Sequence, residues 1–312
     1  MSQPISAHTG PIEEETVPNY STSSFYPVHI GHIYHKRYQV EVKLGYGGFS
    51  TVWLCRDQKD DTYKVLKVAT WSQAQNRESE VLKYLKHCTS QHHGQHRVRR
   101  SCDSFTIKAR GGLHQCLVFE PLGRSLAQYV ELQPGWRLTT KAVAQIAKDL
   151  LLGLDYMHSY LVVHADLKPA NILLSPPADG DAILTRLINA ERADPSQRKV
   201  IDEQRTIYTS RAPEYGNDLT SSIVCDLGLA VFSRHQNSFR GRIQALPYRA
   251  PEVILDMRWG SSADIWSLGV MVCDIFSAPR KLVDLFMLTN LISSGNSFSP
   301  SIFLEATRDQ TA

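Results

Sequence analysis

Two short apolar runs, Leu161-Val162-Val163 and Ile172-Leu173-Leu174, bracket the segment His164-Ala165-Asp166-Leu167-Lys168-Pro169-Ala170-Asn171. Short apolar runs on either side of a polar stretch read as two buried strands with a loop between them. Within that loop a lysine follows the aspartate by two residues and an asparagine follows it by five. This spacing lets one loop gather a base, a phosphate-contacting cation and a metal ligand around a single point. A plain polar connection is the competing reading, and it leaves the order of these residue types unexplained.

Upstream, Tyr38, Val40 and Val42 alternate, the cluster Gly45-Tyr46-Gly47-Gly48-Phe49-Ser50 follows, and two further strand patterns come next, Thr51–Leu54 and Lys64–Val68. Glycines between strands let the backbone bend closely over phosphates and present amide N–H groups to them. A glycine hairpin is also common in its own right. A dinucleotide-binding fingerprint is excluded, because a strand and not a helix follows the glycines. Lys67 falls inside a buried strand pattern, where its charge is costly unless paired. Residues 73–86 carry a helical pattern that supplies a partner. Glu78 has Val81 and Leu82 at +3 and +4, so it shares the inward face, whereas Glu80 has Lys83 at +3 and belongs to the solvent face. For either residue alone, a surface position is the simpler reading.

The strand pattern His114–Phe119 ends at Glu120-Pro121-Leu122-Gly123, which reads as a linker. Helical patterns follow over about 124–131 and 139–159. Strands first and helices afterwards predict an α+β, two-lobed fold: a small antiparallel-sheet N-lobe (25–121) with one main helix, and a larger helical C-lobe (122–278). Ile223-Val224-Cys225-Asp226-Leu227-Gly228 places a second carboxylate at a strand end, and Mg²⁺ prefers such oxygen ligands. Ala250-Pro251-Glu252 and Ala263-Asp264-Ile265-Trp266-Ser267-Leu268-Gly269 complete the series. Asp264 opens an apolar helix running to about Phe276, where it either caps the helix or braces the loop around Asp166.

Residues 1–24, rich in Ser, Thr, Pro and Glu, read as a disordered or loosely attached tail. The segment of about 175–222 reads as a surface insert with one helix near 182–192, since it has too few apolar residues for a core of its own. Residues 279–312 form an atypical tail. The net charge of +3 is too small to argue for nucleic acid as a bulk partner. No basic stretch followed by an apolar core opens the chain, and no apolar run reaches the roughly 18 residues of a membrane span, so a soluble intracellular protein is expected. The 6 cysteines, several in apolar runs such as Ile223–Cys225 and Met271–Cys273, are expected as reduced core thiols. His87, Cys88, His92, His93, His96 and Cys102 raise a metal-binding module as a lesser alternative, without paired CxxC spacing.

Together and in this order, these motifs resemble the eukaryotic protein kinases, and within them the SR-protein kinases. The resemblance covers roughly 25–278. It is carried further by Tyr26–Gly31 before Arg37-Tyr38, by Leu44–Leu54, by Leu117–Gly123 as hinge, and by Asp226-Leu227-Gly228 in place of the usual Asp-Phe-Gly. The resemblance implies ATP and Mg²⁺ as cofactors and an arginine-serine-rich protein as substrate, with no direct nucleic-acid or membrane partner. Cytoplasmic and nuclear residence both fit it. It implies that Gly45, Gly47 and Gly48 cover ATP, and that Lys67, held by Glu78, contacts its phosphates. Leu44, Val52, Val65, Phe119 (the gatekeeper), Glu120, Leu122 and Leu173 would surround the adenine. Asp166 would accept the proton of the substrate hydroxyl, Lys168 would stabilise the moving phosphoryl group, and Asn171 and Asp226 would hold Mg²⁺.

Four departures qualify the resemblance. Ala165 replaces the arginine usual before the catalytic aspartate, which argues against activation by a docked phosphate and fits the SR-protein kinases. Val65 stands where alanine is usual above adenine. Ala245 stands where a threonine usually bonds the catalytic pair, which predicts a lower rate. After Phe276 a complete kinase domain adds several helices, whereas about 36 residues remain here, so the C-lobe is expected to be incomplete and Glu252 to lack its arginine partner. Two functions therefore stand open: a serine/threonine kinase, and a nucleotide-binding scaffold with little catalysis.

Overall fold

Alternation beginning at Tyr38 becomes a six-stranded antiparallel sheet in the computed structural model, which describes residues 10–18, 20–71, 77–88, 91–109, 112–232 and 239–276. The strands are β1 (Ile33–Tyr34), β2 (Tyr38–Gly47), β3 (Ser50–Asp57), β4 (Thr62–Ala69), β5 (Ser101–Ala109) and β6 (Gly112–Phe119), in spatial order β1-β2-β3-β4-β6-β5. β5 was not anticipated; its Phe105 and Ile107 pack, partly buried, against the sheet's core cluster, and its other residues are mostly polar. Helix α1 (Arg77–His87) lies on the inner face, and its Val81, Leu82 and Leu85 join Val65, Leu117 and Phe119 in the main core. The expected helix began at 73, and residues 72–76 lie outside the described residues.

In a regular strand, residues two apart share a face. Val40 and Val42 nonetheless enter different clusters, Val40 with Trp53 and Val118, and Val42 with Leu54. The register of β2 on β3 shifts between them, and such a bulge re-aims the following side chains.

Helices α2 (Leu126–Glu131) and α3 (Thr140–Ser159) begin the larger lobe. Ser125 and Gln128 close a reciprocal capping box at the first, and Thr139 caps the second. Three strand pairs follow in chain order: β7 (Val162–Val163), β8 (Ile172–Leu174), then after α4 (Gly180–Ala193) the hairpin β9 (Arg198–Asp202) and β10 (Arg205–Tyr208), then β11 (Ser222–Val224) and β12 (Val231–Phe232). β8 pairs with β11 and β7 with β12, both antiparallel. The loop from β7 to β8 and the loop from β11 to β12 are therefore neighbours, and this pairing brings Asp166, Asn171 and Asp226 together. A four-residue helix α5 (Pro251–Ile254) and the apolar α6 (Ser262–Phe276) complete the described elements. Main-core side chains come from both lobes, from Val65 through Leu154 to Met271. None of the helices among the described residues is long and apolar enough to cross a membrane.

Three expectations change. The insert is not a surface excursion: Leu184, Leu187 and Ile188 of α4 bury against Val42 and Leu54, and Tyr208 of β10 packs edge-on to Trp53. Each buried aliphatic side chain contributes roughly 1.5–3 kcal/mol, so α4 is part of the N-lobe's core. The N-terminal segment is not loose where it is described. Residues 13–16 form a turn of 3-10 helix in which Glu14 is buried. Cys55, Cys116 and Cys225 are buried free thiols, but Cys102 and Cys273 are exposed. The tail 279–312 and the expected incompleteness of the C-lobe lie outside the described residues.

Candidate active site

The loop after β7 is fixed from beneath by α6. Asp264, fully buried, accepts from the backbone N–H of His164 at 2.8 Å and of Ala165 at 2.9 Å, and from His158 Nε2 at 2.9 Å. Ala165 sits at φ 65° in the left-handed region, a conformation that costs an L-residue of order 1–3 kcal/mol and persists only when its surroundings impose it. His164 donates from Nε2 to the carbonyl of Cys225 (3.0 Å) and accepts at Nδ1 from the N–H of Asp166 (3.1 Å). One ring thereby ties the two functional loops together.

Asp166 and Asn171 are buried. Lys168 Nζ and Asn171 Nδ2 both donate to Asp166 Oδ2, at 2.7 and 2.9 Å, and Asn171 Nδ2 also reaches the carbonyl of Asp166 at 2.8 Å. Among the described residues, Asp166 Oδ1 and Asn171 Oδ1 take no hydrogen bond. Each of these two oxygens is thus open to a further partner.

Lys67, on β4, bonds Glu78 Oε2 at 2.8 Å and Asp226 Oδ1 at 3.0 Å. The choice of Glu78 over Glu80 holds: Glu78 is buried and Glu80 exposed. Burial opposes the charged form of Lys67, but Glu78 and Asp226 outweigh it and hold the ammonium above its ordinary pKa. Burial likewise opposes ionisation of Asp226, yet the charge of Lys67 prevails and its pKa is lowered. Asp226 occupies φ 61°, and its side chain remains 47% exposed. A carboxylate kept ionised and still open to solvent is suited to a hard divalent cation.

Leu44 and Val52 pack, partly buried, against the core that holds Val65 and Phe119, while Leu173 on β8 faces Ile223 of β11. A Cβ placed at Gly45 or Gly47 would meet no atom within 4 Å, so the backbone there is open on that side. Glu120 turns its carboxylate to Lys64 at 3.0 Å and to Cys102 Sγ at 3.2 Å, leaving only its backbone for the hinge. The carbonyl of Leu122 accepts from the hydroxyl of Tyr215 at 2.9 Å.

Four residues of this neighbourhood carried no recognised signal in the sequence. Tyr215 comes from the insert, Arg99 lies over the ring of Phe119 at 4.1 Å, Lys43 is buried two residues before Gly45, and Gln244 bonds the carbonyl of Ala165 through its N–H at 3.0 Å. Each acts across a long sequence separation, where periodicity is uninformative. The Glu252 carboxylate accepts from Ser262 Oγ at 3.5 Å and enters no ion pair among the described residues, while its backbone carbonyl accepts from Met257 N at 2.8 Å. The His/Cys run does not gather: among the described residues no group of three or more His, Cys, Asp or Glu side chains is placed to hold a metal. His92 instead pairs with Asp155 and Cys102 with Glu120.

Comparison with known proteins agrees with this geometry. The protein kinase domain model matches residues 38–215 and 216–282. A serine/threonine protein kinase of Aspergillus fumigatus is 38% identical over 269 residues, covering 85% of this chain and 64% of that protein. The serine/threonine-protein kinase SRPK of Physarum polycephalum is 30% identical over 294 residues, covering 86% and 68%. SRSF protein kinase 3 of Homo sapiens is 33% identical over 207 residues, covering 65% and 36%. The chain thus spans about two thirds or less of the length of these relatives. A solved kinase domain shares the fold with a TM-score of 0.61 at 24% identity, covering 82% of this chain and 68% of that one. The chain belongs to the protein kinase family and, within it, is SR-protein-kinase-like.

Proposed function

We propose that this chain is an ATP-dependent serine/threonine kinase that transfers the γ-phosphate to serine hydroxyls of arginine-serine-rich proteins. The observation that carries the reading is the division of labour at Asp166: Lys168 and Asn171 both occupy Oδ2, and Oδ1 is left to face a hydroxyl. The substrate class rests on the SR-protein-kinase-like relatives.

The site's residues suit ATP and Mg²⁺. Asn171 Oδ1 and the half-open carboxylate of Asp226 would hold the cation, and Mg²⁺ bound there supplies positive charge to the phosphate oxygens. Lys67, restrained by Glu78, directs a fixed ammonium at the phosphates. Asp166 Oδ1 receives the proton of the serine hydroxyl as its oxygen bonds to phosphorus, and ADP leaves. Lys168, already against Asp166, faces the charge that develops on the transferred group. The chain contributes positioning and preorganised charge, and its N–H and side-chain donors need no reorganisation during transfer.

The scaffold alternative drew on Ala245 and on the end of the chain. The Lys168–Asp166 bond forms without a threonine at position 245, and the end of the chain lies outside the described residues. The test is transfer of label from ATP to an arginine-serine peptide, with Asp166→Ala as control. Equal incorporation by both proteins would sink the enzyme reading. Thermal stabilisation by Mg-ATP without transfer would establish the scaffold.

A further inference from the structure

Lys43 lies in β2, two residues before Gly45, and its side chain is fully buried. A lysine in such a position is retained only with its charge matched and its donors satisfied. Its partners come from two remote parts of the chain. Glu14 of the N-terminal segment bonds Nζ directly, Glu13 lies at 3.4 Å, and the carbonyl of Tyr208, in the insert, accepts at 2.9 Å. The backbone carbonyl of Lys43 meanwhile accepts from Arg211 N at 2.9 Å.

The two remote parts are also joined to one another. Glu13 accepts from the N–H of Ser210 at 3.0 Å and from its hydroxyl at 2.6 Å, and Glu15 pairs with Lys199 at 2.9 Å. Arg205 donates to the carbonyl of Phe25 at 2.8 Å. From this junction the N-terminal segment continues over the glycine loop. Thr16 Oγ1 is 3.4 Å from the hydroxyl of Tyr46, and Val17 Cγ1 lies 3.7 Å from where a Cβ would stand on Gly48. The ammonium of Lys43 also sits 5.4 Å from the Tyr46 ring centroid, within cation–π range.

We infer that residues 10–18 and 20–25 of the N-terminal segment and the insert hairpin form one clasp that sets the position of the glycine loop over ATP, with Lys43 as the positioning residue where the clasp fastens. The inference rests on the ATP-binding reading given above. A loop of three glycines has little conformational preference of its own, since glycine populates φ > 0 as readily as φ < 0. Its backbone donors meet the phosphates in a defined geometry only if neighbouring elements restrain it. Here the restraint comes from Lys43 on one side and from Thr16 and Val17 on the other. Both lysines of the clasp, Lys43 and Lys199, are paired with carboxylates inside it, so it needs no outside ligand to close.

The experiment uses the full chain and two readouts. Lys43→Met and Glu14→Gln are expected to raise KM for ATP about tenfold while leaving KM for an arginine-serine peptide unchanged, and Lys43→Arg is expected to recover part of the loss. Val17→Ser, which leaves the buried ion pair intact, serves if Lys43→Met does not fold, and is expected to move KM for ATP in the same direction. Amide exchange over residues 45–49, measured without nucleotide, is expected to rise in each variant. A wild-type chain that neither binds nor uses ATP would remove the kinase reading, and faster loop exchange in the variants would still uphold the clasp. Unchanged KM for ATP together with unchanged loop exchange in folded variants would overturn it.

Discussion

Replacing Asp264 by asparagine tests how far the catalytic loop depends on a single carboxylate. The substitution keeps the shape of the side chain and alters only what it can accept. In the native protein the two oxygens receive the N–H groups of His164 and Ala165, and one also receives His158. An amide has one oxygen, so its NH₂ must face at least one buried N–H donor. Leaving that donor unsatisfied costs about 1–3 kcal/mol. The remaining bond loses its charge assistance, and charge-assisted bonds are roughly twice as strong as neutral ones, which adds about 1 kcal/mol. Asp264→Asn is therefore expected to lower unfolding free energy by roughly 2–4 kcal/mol, read from urea denaturation with the m-value checked for constancy. Phosphate transfer, corrected for folded fraction, is expected to fall further, because those bonds help to hold Ala165 in its left-handed conformation. His158→Ala removes one partner and neither backbone bond, so its effect is expected to be smaller. A loss below about 0.5 kcal/mol, within the range of an ordinary surface change, with normal transfer, would refute the reasoning.

Lys67→Met removes the cation that Glu78 and Asp226 share, and transfer to an arginine-serine peptide is expected to drop by about 10²–10³-fold, as for loss of one preorganised charge-stabilising group. Tyr215→Phe frees the Leu122 carbonyl and is expected to cost about 0.5–1.5 kcal/mol in urea denaturation, with faster amide exchange at Leu122 and Gly123. Burial holds the pKa of His114 below its ordinary value, where its ring donates to the carbonyl of Ala69 at 2.9 Å. The unfolded chain takes up that proton near pH 6.5 and the folded chain does not, so stability is expected to fall as pH drops below about 6.5. His114→Gln is expected to flatten that part of the stability–pH curve.

How much of this was legible depended on how local the determining physics is. The catalytic loop was readable because a base, a cation and a metal ligand must lie within a few residues to converge, and Asp166, Lys168 and Asn171 do. Glu78 was readable because Val81 and Leu82 fix its helix face, and both are buried. The clasp was not. Glu15 and Lys199 are 184 residues apart in the chain, and a Glu-rich start reads as solvated unless the basic partner is known. For α4 the helix was legible but its role was not, because three apolar residues cannot make a core alone and the bulge that turns Val42 toward them leaves no sequence pattern. Strand β5 lies at the sheet edge, and its short alternation, Phe105 and Ile107 inward with Thr106 and Lys108 exposed, was overlooked because the polar Ser101–Ser104 stretch precedes it.

Ala165 was read from the sequence as arguing against activation by a docked phosphate, and Gln244 adds a physical reason. An arginine before the catalytic aspartate serves to receive a phosphate and through it to order the segment that follows the metal aspartate. In this chain that segment is tied to the loop by an uncharged contact, Gln244 N to the carbonyl of Ala165. The Gln244 side chain is buried and fully used: Nε2 donates to the carbonyl of Ala263 at 2.7 Å and to Ser267 Oγ at 2.8 Å, while Oε1 accepts from Ala250 N at 2.9 Å. Asp264 thus braces the loop from α6, and Gln244 braces the segment from the same helix one turn further along. Neither connection depends on a group that must be added or removed. Ala165 is fully buried, and an arginine there would need room for a longer side chain and a partner for its buried charge. Alanine fits that buried position, and the contacts that Gln244 makes to Ala165, Ala250, Ala263 and Ser267 form without a phosphate group.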